Sequence, residues 1–369
     1  MLQLERENGL NIIAFGNDTS SRKWRFDGIA QRFLEHTNHE MFVTPYSTWN
    51  GNLVGANLVI LEMLTNVNMV HACHEQGAKV IFEADDAYID AYKREDRKNL
   101  QHIDETWRKQ AIETIDACDA ITVTNRYLAE NFAKFTKKPI YILPNYIDLE
   151  WYGREKRLPI RRATDEIRIG WFGSKGHYED LRMVVNAVKR VVDKYPRVKF
   201  IYLGYGGMSS DKGSTEIRSG EDVFKEIPRN RREFIRGVEP DLWPMKHRLA
   251  DLDIGLAPLI DDYFNHCKTP IKWMEYAVTG APSVVSPTVY EENPETKDGE
   301  PVVKHGVNGF VARTEDEWFE YISRLVEDET LRKQIAEQAY QDVISKWNID
   351  NKWKDWDWVY RTVCGVPEM

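Results

Sequence analysis

Short apolar runs alternate with longer amphipathic stretches along most of the chain, the pattern of buried parallel strands joined by helices. The first run, 11–15, predicts a strand ending at Gly16. A polar loop leads from it to a helix with Phe26, Ile29, Phe33 and Leu34 at its apolar positions. Strand, glycine and helix in that order open a doubly wound sheet, and a single glycine makes no dinucleotide fingerprint. The alternation continues with strand 57–61, helix 67–75 and strand 79–82, which runs into Glu83-Ala84-Asp85-Asp86. A polar helix over 96–117 precedes strand 120–123, helix 126–135 and strand 140–143, followed by Pro144-Asn145-Tyr146-Ile147-Asp148.

The segment 154–165 breaks this rhythm. It is charged, without periodicity, and carries Arg154, Lys156, Arg157, Arg161 and Arg162, which marks a domain boundary. Beyond it the alternation restarts with strand 167–172, ending in Gly173-Ser174-Lys175-Gly176-His177, then helix 180–194 and strand 199–203. A polar loop over 208–229, strand 233–236, helix 241–250 and strand 253–259 follow. Next come a helix near 270–280, strand 283–285, a small hairpin edge at 308–311, two amphipathic helices over 315–327 and 331–347, and a Trp-rich tail over 352–360. The expected fold class is therefore α/β, with two doubly wound halves, 1–153 and 154–347, and a cleft between them.

Composition agrees with two cores. The chain has 369 residues, 42% of them hydrophobic and 30% charged, which excludes a disordered protein. A net charge of -9 argues against coating nucleic acid by bulk electrostatics, while leaving room for a local basic groove. Cys73, Cys118, Cys267 and Cys364 are isolated, with neither a CxxC pair nor metal-ligand spacing, and read as reduced thiols. The N-terminal residues lack a signal-peptide pattern, and no apolar run approaches the ~20 residues of a membrane span. A cytoplasmic protein without a membrane span is expected.

Candidate chemistry collects in two places. In the stretch 264–282, Thr269 suits an N-cap and Pro270 a first helical position, and the helix stops at Gly280. Lys268 and Lys272 flank that N-terminus, where free amides and the helix dipole favour a phosphate or diphosphate. Glu275 is placed to accept from a sugar diol; the alternative is an amphipathic core helix with a solvated Lys–Glu pair. In the first half, Asp85 and Asp86 follow a parallel strand, where such sheets bind ligands; the alternative is a helix cap with a solvated neighbour. His177 follows the Gly173 loop and reads equally as a site or a surface histidine.

Several segments together resemble the retaining GT-B glycosyltransferases of the glycosyltransferase family 4 type. They are Asp119 to Thr124 (DAITVT), Ile142 to Asp148 (ILPNYID), Ile169 to Ser174 (IGWFGS), Asp253 to Leu259 (DIGLAPL), Lys272 to Tyr276 (KWMEY) and Gly306 to Val311 (GVNGFV). The resemblance implies two Rossmann-like domains facing a central cleft, with 348–369 as a C-terminal helix returning to the N-terminal domain. It implies a nucleotide sugar held by the C-terminal domain, expected to be a UDP-sugar, and metal-independent transfer with retention to a hydroxyl acceptor. Glycans, lipid-linked intermediates, small molecules and modified DNA bases all remain open as acceptors, and no cofactor beyond the donor is expected.

By the same resemblance Glu275 binds the donor ribose, amides near Lys268 and Thr269 meet the diphosphate, and Gly16, Gly173 and Ser174 lie by the phosphates. Asp85, with Asp86 second, is the candidate catalytic acceptor of a hydrogen bond from the incoming hydroxyl. The chain departs from the family pattern at Cys267, where a second Glu often stands, at Ser174 in place of an Arg, and at Tyr146 in place of a Gly. Lys175, Lys268 and Lys272 are the cations available to compensate. Three other readings stay open. One is a phage-type DNA glycosyltransferase acting on hydroxymethylated bases, with the basic segment Arg154 to Arg162 and the cluster Arg229, Arg231, Arg232 and Arg236 tracking the backbone. The others are a nucleotide-sugar epimerase and an inactive GT-B binding module.

Overall fold

The computed structural model describes residues 9–16, 20–53, 55–91, 104–153, 165–173, 177–204 and 223–367. Strands β1 (Asn11–Phe15), β2 (Glu40–Thr44), β3 (Leu58–Glu62), β4 (Lys79–Ala84), β5 (Ala120–Val123) and β6 (Ile140–Ile142) form one sheet. Its order is β2-β1-β3-β4-β5-β6, and every pairing is parallel. A second sheet contains β7 (Ile167–Gly173), β8 (Val198–Gly204), β9 (Arg232–Arg236), β10 (Ile254–Ala257), β11 (Ser283–Val285) and β12 (Phe310–Val311). It runs β12-β11-β10-β7-β8-β9, again all parallel. Both sheets are buried on two faces, so β3, β4 and β5 are apolar along nearly their whole length. This is the GT-B fold: two Rossmann-like α/β domains whose strand ends face one another.

The Trp-rich tail forms the helix Trp353–Cys364, and it lies against the first domain. Trp356, Val359 and Tyr360 join Leu10, Ile12, Phe26, Phe33 and Ile60 in one buried cluster. The chain crosses over where Ile147 pairs in parallel with Asn348, through Ile147 N to Trp347 O at 2.8 Å and Ile349 N to Ile147 O at 3.0 Å. Tyr146 is buried between Trp347 and Trp356, both 5.9 Å away between ring centres. A large ring thus fills the crossing. Arg32 closes the joint by pairing with both Asp148 (2.8 Å) and Asp350 (2.6 Å).

Five sequence expectations need correction. The edge strand β2 went unseen because its residues are half-buried and lack a continuous apolar run. Leu34, assigned to the apolar helix face, is 75% exposed. The helix expected over 180–194 is two, Tyr178–Arg182 and Val185–Lys194, separated by tight turns through Met183 N to Asp180 O and Val184 N to Leu181 O. The hairpin at 308–311 is instead the parallel edge strand β12. The end of the expected polar loop buries Val223, Phe224 and Ile227 against β8. Its earlier part, 205–222, the linker 154–164 and the start of the helix expected at 96 lie outside the described residues.

One buried ion pair anchors the first domain. A π-helical turn, Lys23–Asp27, turns Arg25 inward, and Nε donates to Glu83 Oε1 at 2.7 Å. Nη1 donates to Leu143 O (2.7 Å) and Asn145 Oδ1 (2.9 Å), and Thr122 Oγ1 donates to Glu83 Oε2 at 2.5 Å. Both charged side chains are fully buried. Removing one leaves the other unpaired, so Arg25→Met should cost about 3–5 kcal/mol, measured by denaturant unfolding. The double variant Arg25→Met/Glu83→Leu should recover at least half of that loss. Equal instability of single and double variants would show that shape, not charge, is what Arg25 supplies.

Candidate active site

The carboxyl ends of the two sheets enclose a cleft of about 420 Å³. From the first domain it is lined by Ser21 and Trp24 on the turn after β1, Asp85 and Asp86 after β4, and Asn145 after β6. From the second come Phe172, Gly173, His177, Val238 to Pro240, Trp243, Leu259, Lys268, Thr269, Ile271, Lys272, Glu275 and Tyr290. In the second sheet β7 and β10 are the neighbours at which the strand order reverses, the position where open α/β sheets bind ligands.

The helix Ile271–Val278 places most of the charge. Its first-turn amides have no acceptor within the helix and open toward Lys268 and Lys272. It begins one residue later than expected: Pro270 is the N-cap, and Thr269 makes no cap. Thr269 Oγ1 accepts instead from Asn145 Nδ2 at 3.0 Å, a bond that ties the two domains together at the cleft floor. Lys268 N is committed to Asn265 O at 3.0 Å, so the amide expected there to meet a phosphate is already used. The helix ends as expected at Gly280, with φ +81.

Glu275 is buried at the cleft wall and 4% exposed. Oε1 accepts from Tyr152 Oη at 2.6 Å and from Trp243 Nε1 at 3.0 Å. Burial pushes this carboxyl up to about 7, against the pull of those two donors and of Lys272. Burial also pushes the Lys272 ammonium down to about 8, with Lys268 adding repulsion and Glu275 opposing. Lys272 Nζ lies 3.3 Å from His177 Nε2, and His177 Nδ1 lies 2.8 Å from Asp180 Oδ2. Burial and Lys272 hold the His177 imidazole down, to about 3, so it is neutral and Nε2 accepts from the ammonium while Nδ1–H donates to Asp180. Asp180 is fixed in turn by Ile260 N (2.9 Å) and Asn265 Nδ2 (3.0 Å).

Across the cleft, Asp86 forms an ion pair with Lys268 at 3.1 Å. Asp85 takes a hydrogen bond from Ser21, and burial together with the neighbouring Asp86 raises its pKa above the usual carboxylate range. The structure therefore brings Asp85, Asp86, Gly173, His177, Lys268, Thr269, Lys272 and Glu275 to one cavity. Gly16 is not among its lining residues. It lies at the carboxyl end of β1, where a side chain would meet Glu62 Oε2 at 2.8 Å and Phe26 at 3.2 Å, so the packing there leaves no room for a larger residue. Ser174 and Lys175 fall outside the described residues. Cys267 is fully buried and packs with Phe264 into the first domain's core, which explains an apolar residue there.

Sequence reasoning missed Ser21, Trp24, Trp243 and Tyr290, whose aromatic and small side chains carry no charge pattern. Of the residues expected to track a nucleic-acid backbone, Arg154 to Arg162 lie outside the described residues. Arg231 donates to the carbonyls of Val192, Tyr195 and Val198, and Arg232 to that of Phe224, while Arg229 and Arg236 are exposed. Among the described residues no helix is long and apolar enough to cross a membrane.

Residues 166–328 match the family described as Glycosyl transferases group 1. The whole chain superposes on sucrose-phosphate synthase from Thermosynechococcus elongatus with a TM-score of 0.67 at 9% identity, covering 97% of this chain and 100% of that one. HepE from Anabaena, solved with UDP, gives 0.60 at 13% identity over 96% and 100% of the two chains. A UDP-forming α,α-trehalose-phosphate synthase from Burkholderia xenovorans gives 0.57 at 12% identity over 88% and 76%. No curated protein sequence matches. At these identities the structural likeness is one of fold, and with the family match it supports a GT-B glycosyltransferase.

Lys272 gives this cleft a measurable pH response. Its charge is lost as pH rises through about 8, so affinity for an anion should fall from pH ~7 to ~9. Inorganic pyrophosphate titrated by calorimetry should bind the native protein more tightly than Lys272→Met at about pH 7, with the ratio shrinking several-fold by about pH 9. Comparing the two proteins cancels the titration of pyrophosphate itself. A constant ratio across that range would contradict the assignment.

Proposed function

We propose that the protein is a metal-independent, retaining glycosyltransferase that moves a sugar from a nucleoside diphosphate sugar, a UDP-sugar, to a hydroxyl acceptor. The observation that carries the reading is the convergence of Lys268, Lys272 and a helix N-terminus beside a buried Glu275 in one cleft. A diphosphate needs the first three and a ribose diol the last. HepE has been solved with UDP and with UDP-glucose, which supports the same donor class here.

Bond cleavage at the anomeric carbon builds charge on the departing diphosphate. Cations and amides already in place lower that barrier because they need no reorganisation. Lys268 and Lys272 are paired with Asp86 and His177, so an arriving phosphate exchanges one partner for another. On the acceptor side Asp85 is the better proton acceptor of the two carboxylates. Asp86 is held by Lys268, whereas burial leaves Asp85 more basic than an ordinary aspartate. In this reading Lys268 and Lys272 supply the positive charge that the departing diphosphate needs.

The test is a panel of nucleotide sugars with detection of released nucleoside diphosphate, run with and without EDTA. Slow hydrolysis of a UDP-sugar, unaffected by chelator, is expected. Glu275→Ala should weaken donor binding by roughly 10- to 100-fold, the value of a charge-assisted hydrogen bond. Asp85→Asn should keep donor affinity and lower the single-turnover transfer rate, by ~100-fold or more if it acts as a general base. A changed sugar with no release would indicate an epimerase, and absence of binding across the panel an inactive module. Wild-type turnover in Glu275→Ala would remove the donor assignment.

A further inference from the structure

We infer that Tyr152, with Trp243 beside it, is a positioning residue that fixes the Glu275 carboxylate so that the site selects an intact ribose diol. The inference rests on the donor reading above and concerns what makes Glu275 selective. Tyr152 is 2% exposed and does not line the cleft. It acts only through the carboxylate that does.

Both donors converge on one oxygen. Tyr152 Oη and Trp243 Nε1 reach Glu275 Oε1 from different elements, at 2.6 and 3.0 Å. Two donors on one oxygen stop the carboxylate from rotating, and among the described residues Oε2 accepts from none. Oε2 is thus the oxygen left to take hydrogen bonds from a ligand.

The position of Tyr152 is itself determined from several sides. It ends the short helix Leu149–Tyr152, whose N-cap Asp148 accepts from Glu150 N and pairs with Arg32. Its carbonyl accepts from Arg248, and its ring packs on Trp24, Trp151 and His247. Gly153 follows with φ +87, and a side chain there would meet Arg248 at 2.7 Å. The phenol therefore arrives at Glu275 from the joint between the domains.

The same bonds bear on ionisation. Lys272 and Tyr276 come from the carboxylate's own helix, Tyr152 from the joint, and Tyr290 from the segment after β11. His247, stacked on Phe172 and packed at a tilt against Trp243, belongs to the helix Trp243–Ala250 and is neutral at ordinary pH because burial holds its pKa well below the usual value. Burial raises the Glu275 pKa, and hydrogen bonds to the charged form lower it, so deleting one donor moves it upward and leaves less carboxylate at neutral pH.

The experiment compares UDP with 2′,3′-dideoxy-UDP in native protein and Tyr152→Phe, by calorimetry from about pH 6 to 9. The quantity read is the preference for UDP within each protein, which cancels the titration of Lys272 and of the phosphates. In native protein the preference should rise through pH ~7 as Glu275 ionises. In Tyr152→Phe that rise should move up by about one unit, lowering the preference at pH 7 about fivefold and restoring part of it by pH ~9. An unshifted, undiminished preference in a folded Tyr152→Phe overturns the inference while leaving the donor reading intact. Native protein that binds both nucleotides equally, or neither, overturns both. Should Tyr152→Phe fail to fold, Trp243→Phe removes the other donor to the same oxygen and must show the same upward shift.

Discussion

The guanidinium of Arg25 is out of reach of solvent, and its partners belong to three separate parts of the chain. Glu83 comes from β4, the Leu143 carbonyl and Asn145 from the segment after β6, and the ring of Trp356 from the returning helix, 5.5 Å away. A buried charge of this kind demands satisfaction of its donors, so each partner must be in place before the domain is stable. Asn145 then passes the constraint across the cleft to Thr269, immediately before the helix that carries Lys272 and Glu275. The floor of the cleft is defined by this relay, and the ligand-facing groups stand on it.

Above that floor, burial shifts two of the cavity's charged groups toward neutrality. Glu275 is raised to about 7 and Lys272 lowered to about 8, by desolvation in both cases. Their environments are tuned by neighbours that themselves have no access to ligand: Asp180 behind His177, and Tyr152 behind Glu275. Such backing groups keep polar side chains in fixed orientations, and a fixed dipole is worth more to a charge-separating reaction than a mobile one.

Much of the fold was legible because parallel strands buried on both faces leave continuous apolar runs, as in β3, β4 and β7. Charge spacing made Lys268, Lys272, Glu275, Asp85 and Asp86 legible as well, since each follows a strand or opens a helix. Other features depend on contacts distant in sequence and leave no local signal. Tyr152 meets Glu275 across more than a hundred residues, and Thr269 gives up its capping role because Asn145 takes its hydroxyl. β2 was hidden by its edge position, and the close approach of Glu62 to Gly16 is one that spacing does not reveal. Cys267, which departs from the family's carboxylate, is explained by the apolar seam it joins.

The central claim is that the donor lies along the helix Ile271–Val278, diphosphate at its N-terminus and ribose against Glu275. A crystal structure of the protein with UDP tests this most directly. The account predicts phosphate oxygens within hydrogen-bond distance of Lys268 or Lys272, their present partners Asp86 and His177 released, and the ribose hydroxyls on Glu275 Oε2 with Tyr152 still on Oε1. UDP bound elsewhere, or bound in this cleft with Glu275 facing away from the ribose, would contradict it.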